Sequence, residues 1–311
     1  MDPAPFLRGN PFPAAGSVPY PRAKPDDRLP RDTWGMACIP AGVRLEFVGE
    51  GVVEIAYACA EDNPGYRGER GRLFESWRGD ERVDEAAAVS GEGTVRLRSG
   101  TVYLPEWMKP TILSVDVVDG APEPAPRGPR WVAYGDSVLE GWVATSPALA
   151  WPMVAARTFD LDVVNLGYAG AARGEIVSAE HVASLDADVI SISHGTNCWT
   201  RTPHSTAQMR ANTEAFLDVV RAGHPDTPIV VASPIVRPDA EAAPNALGAT
   251  LVDLRVAIEE VVQARIDDGD KLLQLVPGLP IVREAQLADG IHPDDDGHRA
   301  LAEVIGRAVA G

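Results

Sequence analysis

Ser137 stands in Gly135-Asp136-Ser137, directly after the apolar run WVAYG. A serine where a buried strand ends and a turn begins can project its hydroxyl into the crevice at the carboxyl end of a sheet. That is a position for a nucleophile, although a turn serine capping the following helix has the same local sequence. Near the C-terminus, Asp289 lies three residues ahead of His292 in DGIHP. One turn of chain lets such a carboxylate take the imidazole Nδ1–H, hold the tautomer and stabilise the imidazolium. The competing reading is a surface loop, because Asp294, Asp295 and Asp296 follow at once. Those three acids suit the start of a helix, where the macrodipole favours negative charge, and are expected to carry no chemistry.

Two further blocks lie between these ends. In Asn165-Leu166-Gly167-Tyr168-Ala169-Gly170 the glycines let the backbone turn sharply and leave an N–H open to a ligand, although ordinary turns also use glycine. In His194-Gly195-Thr196-Asn197 a neutral carboxamide sits beside a tight turn, where it either faces a ligand or caps its own backbone. His194 either lines a pocket or packs beneath that turn. The remaining histidines, His181, His204, His224 and His298, have no partners in sequence, and structural roles are expected of them.

The elements that must hold these blocks divide the chain in two. From Val43 to Val118, runs such as VRLEFV, VVEIAYA, TVRLRSGTVYL and TILSVDVV alternate apolar with polar residues, which predicts an antiparallel β-domain. The stretch GAPEPAPRGPR, residues 120–130, reads as a Pro-rich linker. Beyond it, WVAYG, DVVNLG, DVISIS and PIVVAS are buried-strand runs. The spacing predicts helices over 148–159, 205–221, 247–265 and 297–309, which gives a parallel sheet covered on both faces. The expected domains are 1–125, an accessory β-sandwich with an extended leader, and 126–311, the catalytic unit.

The four blocks occur in one order at consecutive element ends, and in this the chain resembles the SGNH (GDSL-like) hydrolase family over about residues 131–311. The resemblance implies a flavodoxin-like three-layer α/β/α fold. It also implies Ser137 as nucleophile, His292 as base, Asp289 as its orienter, and Gly170 and Asn197 as oxyanion donors beside the Ser137 backbone N–H. The sequence departs from the family's usual pattern at VLEG after Ser137 and at Cys198 after Asn197. Cys198 is therefore a candidate pocket residue, and His194, which precedes the Asn197 turn, is another. The N-terminal part looks like the β-sandwich of two-domain members, including certain carbohydrate esterases and polyketide-tailoring acyltransferases. Trp107 and Met108, in LPEWMKP, are the apolar residues expected to face the cleft from that side.

The expected function is a serine esterase cleaving a small-molecule or carbohydrate ester. The alternatives are an acyltransferase to a hydroxyl acceptor and, of a different class, a non-catalytic ligand-binding protein. No G-x-S-x-G elbow is present, so the ordinary α/β-hydrolase reading fails on its central motif. Twenty-eight Lys and Arg stand against 45 Asp and Glu, a formal charge of −17, with no basic cluster for a phosphate backbone; nucleic acid is not an expected partner. Neither a leader-type segment nor a membrane-length apolar run is present, which predicts a cytoplasmic protein without a membrane partner. Cys38, Cys59 and Cys198 are odd in number and lack C-x-x-C spacing, so no disulfide framework and no metal site is expected, and Cys38 and Cys59 read as buried free thiols. The expected chemistry calls for no cofactor.

Overall fold

A computed structural model describes residues 1–311. The N-terminal half holds strands Leu7–Arg8 (β1), Arg44–Val48 (β2), Gly51–Cys59 (β3), Leu73–Arg78 (β4), Glu81–Ala87 (β5), Gly91–Arg98 (β6), Thr101–Tyr103 (β7), Pro110–Gly120 (β8) and Glu123–Pro124 (β9), with one helix, Arg31–Ala37 (α1). Two antiparallel sheets result. One has the order β1-β2-β7-β4-β5 with β9 also on β2, and the other the order β6-β3-β8. Alternation along β3 sends Val53, Ile55, Tyr57 and Cys59 inward to meet Leu45, Phe74 and Val102 of the other sheet, so the two sheets share one apolar core. The stretch expected to be a linker is partly sheet, because β8 runs to Gly120 and β9 pairs with β2 at Phe47 and Val48.

The second half alternates strand and helix: Arg130–Gly135 (β10), Ser137–Glu140 (α2), Trp151–Phe159 (α3), Asp162–Gly167 (β11), Ile176–Ala183 (α4), Val189–Ser193 (β12), Asn197–Thr200 (α5), Thr206–Gly223 (α6), Ile229–Ala232 (β13), Pro238–Glu241 (α7), Leu251–Asp267 (α8), Leu273–Val276 (β14) and Asp295–Ala310 (α9). The five strands pair in parallel in the order β11-β10-β12-β13-β14. The two-residue period sorts the side chains. Val132 and Tyr134 of β10 enter a core with α4, α6 and α8, whereas Trp131 and Ala133 enter another with α3 and α9. Each fully buried aliphatic side chain in these layers stabilises the fold by about 1.5–3 kcal/mol. No helix is long and apolar enough to cross a membrane.

The cores do not divide cleanly at residue 125. Phe12, Ala23, Leu29 and Ala37 of the N-terminal segment join the core of the parallel sheet, and Trp77 and Tyr103 pack on its other face. Buried Arg44 bridges the halves, donating to the Val163 carbonyl at 3.0 Å and facing Asp162 at 3.4 Å. Burying a guanidinium is costly unless its donors are paired, so these contacts fix one half against the other.

Candidate active site

The sheet order reverses beside β10: β11 lies on one side and β12 on the other. Loops leaving these three strands therefore meet at one crevice. Asp136 caps α2, its carboxylate accepting the Val138 N–H at 3.0 Å. Burial pushes that carboxyl up to about 6, against the pull of its backbone hydrogen bonds and Arg237. Ser137 is the first residue of α2, where helix geometry leaves the backbone N–H without an intrahelical partner.

The Ser137 hydroxyl donates to His292 Nε2 at 2.9 Å, and His292 Nδ1–H donates to Asp289 Oδ2 at 2.8 Å. The other Asp289 oxygen accepts the backbone N–H groups of Ile291 at 3.0 Å and His292 at 2.8 Å. Burial raises the Asp289 carboxyl, but the hydrogen bonds from the His292 ring and these two amides outweigh it and hold the group below its ordinary range. A charged acceptor on Nδ1–H leaves Nε2 as the basic nitrogen, aimed at the hydroxyl. That geometry can draw a proton from Ser137 as it attacks a carbonyl.

Two donors stand opposite. Gly170 takes φ +68°, a left-handed conformation that glycine adopts without strain, and its N–H makes no hydrogen bond within the protein. Asn197 gives one Nδ2 hydrogen to the Ala172 carbonyl at 3.1 Å and keeps the second for the cleft. Asn165 ties the end of β11 to α2, donating to the Leu139 carbonyl at 3.0 Å and accepting the Gly167 N–H at 2.8 Å. A Cβ at Gly167 would stand 2.4 Å from the Glu140 nitrogen, so only glycine permits this approach. Glu140 then holds the donor turn by accepting the Ala169 N–H at 2.9 Å.

The cleft has a volume of about 450 Å³, within the range of small-molecule sites, and is lined by Ser137, Trp142, Gly170, Asn197 and His292 together with Met36, Thr196, Arg201, Arg237 and Ile291. Four residues that were candidates for the cleft do not line it: Cys198, His194, Met108 and Trp107. Cys198 is fully buried in the core beneath the cleft, its thiol 3.8 Å from the Arg173 carbonyl, because α5 turns it inward. His194 also lies off the cleft, stacked on Tyr134 and Phe216, with Nε2 3.4 Å from the Asn212 oxygen. Met108 lies in the core between the antiparallel sheets.

Trp107 does not line the cleft but backs the residue that does. Its ring stands edge-on to Tyr66 and to Trp142, and Trp142 in turn lies 6.2 Å from the His292 ring. The N-terminal half clamps the loop that bears Trp142. Tyr66 and Arg67 donate to the carbonyls of Gly141 and Ala144, each at 2.9 Å, while Arg67 pairs with buried Glu106. Within that loop Val143 has φ +72°, a conformation that costs a branched residue about 1–3 kcal/mol and persists only when its surroundings impose it. Asp295, expected to carry no chemistry, accepts the Thr145 N–H and hydroxyl and so helps to hold the loop.

Residues 129–310 match the model of the GDSL-like lipase/acylhydrolase family. The chain belongs to that family. It is therefore an ester-acting enzyme, and the binding-only alternative is set aside. A comparison with curated proteins returns no match. Among solved structures, a salicylyl-acyltransferase from a tetracycline biosynthetic pathway is similar over 97% of this chain and 92% of its own, with 23% identity and a TM-score of 0.80. A putative GDSL-like lipase from Bacteroides ovatus covers 98% of this chain and 94% of its own at 20% identity and TM-score 0.79. A family two carbohydrate esterase from Clostridium thermocellum, in complex with cellohexaose, covers 86% and 90% at 16% identity and TM-score 0.65. At these identities the likeness is one of fold, and it extends through both halves of the chain.

Sequence reasoning missed Trp142, Met36, Arg201 and Arg237. Trp142 follows the Ser137 block by five residues, and a tryptophan so near a candidate nucleophile was the available signal. Met36 carries none, since α1 reaches the cleft only through tertiary packing.

Proposed function

We propose that this GDSL-family enzyme is a serine esterase acting on a small-molecule or carbohydrate ester through an acyl-enzyme on Ser137. The observation that supports this most is the continuous chain of hydrogen bonds from Ser137 through His292 to Asp289. His292 takes the Ser137 proton as Oγ bonds to the carbonyl carbon, and returns it to the departing alkoxide as the acyl–oxygen bond breaks. Water, deprotonated in turn by His292, releases the acid. The oxyanion of each tetrahedral intermediate is held by the N–H groups of Ser137 and Gly170 and by Asn197 Nδ2, commonly the largest contribution in acyl transfer. The steps call on side chains and backbone alone, with no cofactor. In this reading residues 1–125 form a β-sandwich unit that walls the cleft of a catalytic unit spanning 126–311.

The test is mass detection of an acyl group on Ser137 after mixing with an aryl ester, with Ser137→Ala alongside. Acyl adduct and turnover in the parent, both lost in a folded Ser137→Ala protein, are expected; turnover within a few-fold of the parent in the variant overturns the assignment.

A second reading, transfer to a hydroxyl acceptor, is favoured by Trp142, which lines the cleft beside His292 and is backed by Tyr66 and Trp107 of the N-terminal half. A ring so placed excludes water from one side of an acyl-enzyme and offers a stacking surface to a second substrate. Adding an aromatic alcohol to the ester assay distinguishes the two. Acyl transfer above the proportion set by concentration, reduced in Trp107→Ala, marks a transferase; water taking the acyl group regardless marks an esterase.

A further inference from the structure

We propose that the cleft selects an ester carrying an anionic oxygen group, a carboxylate or a phosphate, within a few bonds of the scissile carbonyl, and that Arg201 is the residue that binds it. The inference rests on the acyl-transfer reading of the site.

Two guanidinium groups line the cleft and no carboxylate does. Arg237 already has its structural partners. It is buried, forks onto Asp239 at 2.9 and 3.2 Å, and lies 4.9 Å above the Trp199 ring. Arg201 has no acid partner and is exposed to the cleft. Its guanidinium lies over Gly170: a Cβ placed there would meet Nε and Nη2 at 3.6 Å and Cζ at 3.7 Å, nearly equidistant. The flat face therefore rests on the donor turn, and no acceptor of the protein takes the guanidinium N–H groups, which stay available to a ligand in the cleft. A planar fork with five donors matches a carboxylate or phosphate better than it matches neutral groups.

The charge of the whole protein makes this arrangement informative. At a formal charge of −17 the surface repels anions in general. A cleft lined by cations within low-dielectric walls reverses that locally and focuses the field where the ester must sit. An unpaired arginine at that place has no folding role visible in its contacts, whereas Arg237, Arg44 and Arg22 each do. The cation also lies beside Gly170, so a purely electrostatic effect on the oxyanion is the rival explanation, and the test must separate the two.

The experiment pairs anionic with neutral esters of similar shape: 4-nitrophenyl hydrogen succinate against 4-nitrophenyl pentanoate for an anion on the acyl side, and 3-carboxy-4-nitrophenyl acetate against 4-nitrophenyl acetate for one on the alcohol side. Each is measured with the parent, Arg201→Gln and Arg201→Lys. For one of the two pairs Arg201→Gln is expected to lower kcat/KM of the anionic ester about tenfold to a hundredfold more than that of its neutral counterpart, mostly through KM. Arg201→Lys recovers part of the preference, and added salt erodes it. Equal losses on neutral and anionic esters overturn the proposal in favour of the oxyanion effect, and so does the absence of any differential in both pairs.

A second readout does not depend on turnover. In the Ser137→Ala background the anionic esters should bind more tightly than the neutral ones, and Arg201→Gln should abolish the difference. If Ser137→Ala itself hydrolyses the esters at the parent's rate, the acyl-enzyme reading fails, and binding of the same compounds to Arg201→Gln and parent still decides the anion site.

Discussion

At the scale of single residues, Asp289 is the side chain whose replacement separates orientation from charge. Its two oxygens do different work: Oδ1 accepts two backbone amides, and Oδ2 accepts the His292 ring proton. An asparagine keeps the amide contacts with its oxygen and turns its NH2 toward Nδ1, which must then give up its proton and become the acceptor. The remaining ring proton moves to Nε2 and faces Ser137, so the base is lost although every atom is in place. Asp289→Asn should therefore lower kcat by about 10⁴ with little change in stability or KM, by analogy with the same swap in other triads. Steady-state kinetics check this, and a loss under tenfold would show that the carboxylate does not set the tautomer. Asn197→Ala removes one of three donors and should lower kcat about 10²–10³-fold with KM nearly unchanged; a rise in KM at constant kcat would place Asn197 in ground-state binding instead. Ser137, Asp289 and His292 were legible only jointly: each block is ambiguous alone, and it is the order of the four blocks at consecutive element ends, with the family resemblance it carries, that singled them out, although Ser137 lies 155 residues from His292. Cys198 was misread, and His194 takes the packed one of its two readings, for one physical reason. Neighbours of a functional residue on a short helix or at a strand end point to opposite sides, so adjacency in sequence does not confer adjacency to the cleft.

At the scale of elements, the donor turn after β11 is held in place by a residue from the far end of the chain. Glu140, in α2, accepts the Ala169 N–H and pairs with Arg22 at 3.3 Å, while Arg22 also donates to the carbonyls of Ile39, Met36 and Gly167. Burial raises the Glu140 carboxyl, and Arg22 with the Ala169 amide oppose that shift. Both side chains are almost wholly inaccessible, 0% and 3% exposed, so either charge left alone is uncompensated. Arg22→Met and Glu140→Gln should each cost about 3–5 kcal/mol in chemical unfolding, and the double variant less than their sum, because the second change removes the stranded charge. The Glu140 variants should also lower kcat more than KM, since they loosen the turn bearing Gly170; strict additivity in stability, or an unmoved kcat, would break the link. None of this coupling was legible, because a sequence separation of 118 between Arg22 and Glu140 gives no local signal of contact. The elements themselves were largely legible: WVAYG, DVVNLG, DVISIS and PIVVAS fall on β10 to β13, and 205–221 covers most of α6 with its capping residue Ser205. The fifth strand, β14, was missed because LQLV is four residues long with Gln274 exposed. Helix α4 was missed because its apolar residues are interrupted by Ser178, Glu180 and His181.

At the scale of the whole molecule, the buried titratable groups outside the relay set a pH dependence of stability distinct from that of activity. His298 is completely buried beneath the cleft loop, its Nδ1 accepting the Trp151 N–H at 3.3 Å and its Nε2–H donating to the Trp142 carbonyl at 3.4 Å. Both ring nitrogens are thus used by the neutral form, and burial holds His298 down to about 4; burial does the same to His194. In the unfolded chain both titrate near 6.5. Between about 6.5 and 4 the unfolded state takes up two protons that the folded state refuses, so stability falls as pH falls through that window. Asp136 acts in the opposite direction. With its carboxyl pushed up to about 6, the folded chain holds a proton between roughly 4 and 6 that the unfolded chain has released, so its contribution is present at low pH and is lost as pH rises through 6. Asp289, held below its ordinary range, contributes only above that range and loses its contribution at still lower pH. Glu140, also raised by burial, acts in the same sense as Asp136, and His181, lowered by burial, acts with the other two histidines; three histidines outweigh two carboxylates, and the unfolding free energy should therefore decline from pH 7 to pH 4.5. His298→Asn keeps an acceptor and a donor but cannot titrate. Measured by urea unfolding at a series of pH values, the parent's slope between pH 4.5 and 6 should exceed the variant's by about 1.4 kcal/mol per pH unit, the worth of one proton. Equal slopes would mean that His298 protonates in the folded state as readily as in the unfolded one, and that the loop carrying Trp142 is not closed over a neutral imidazole.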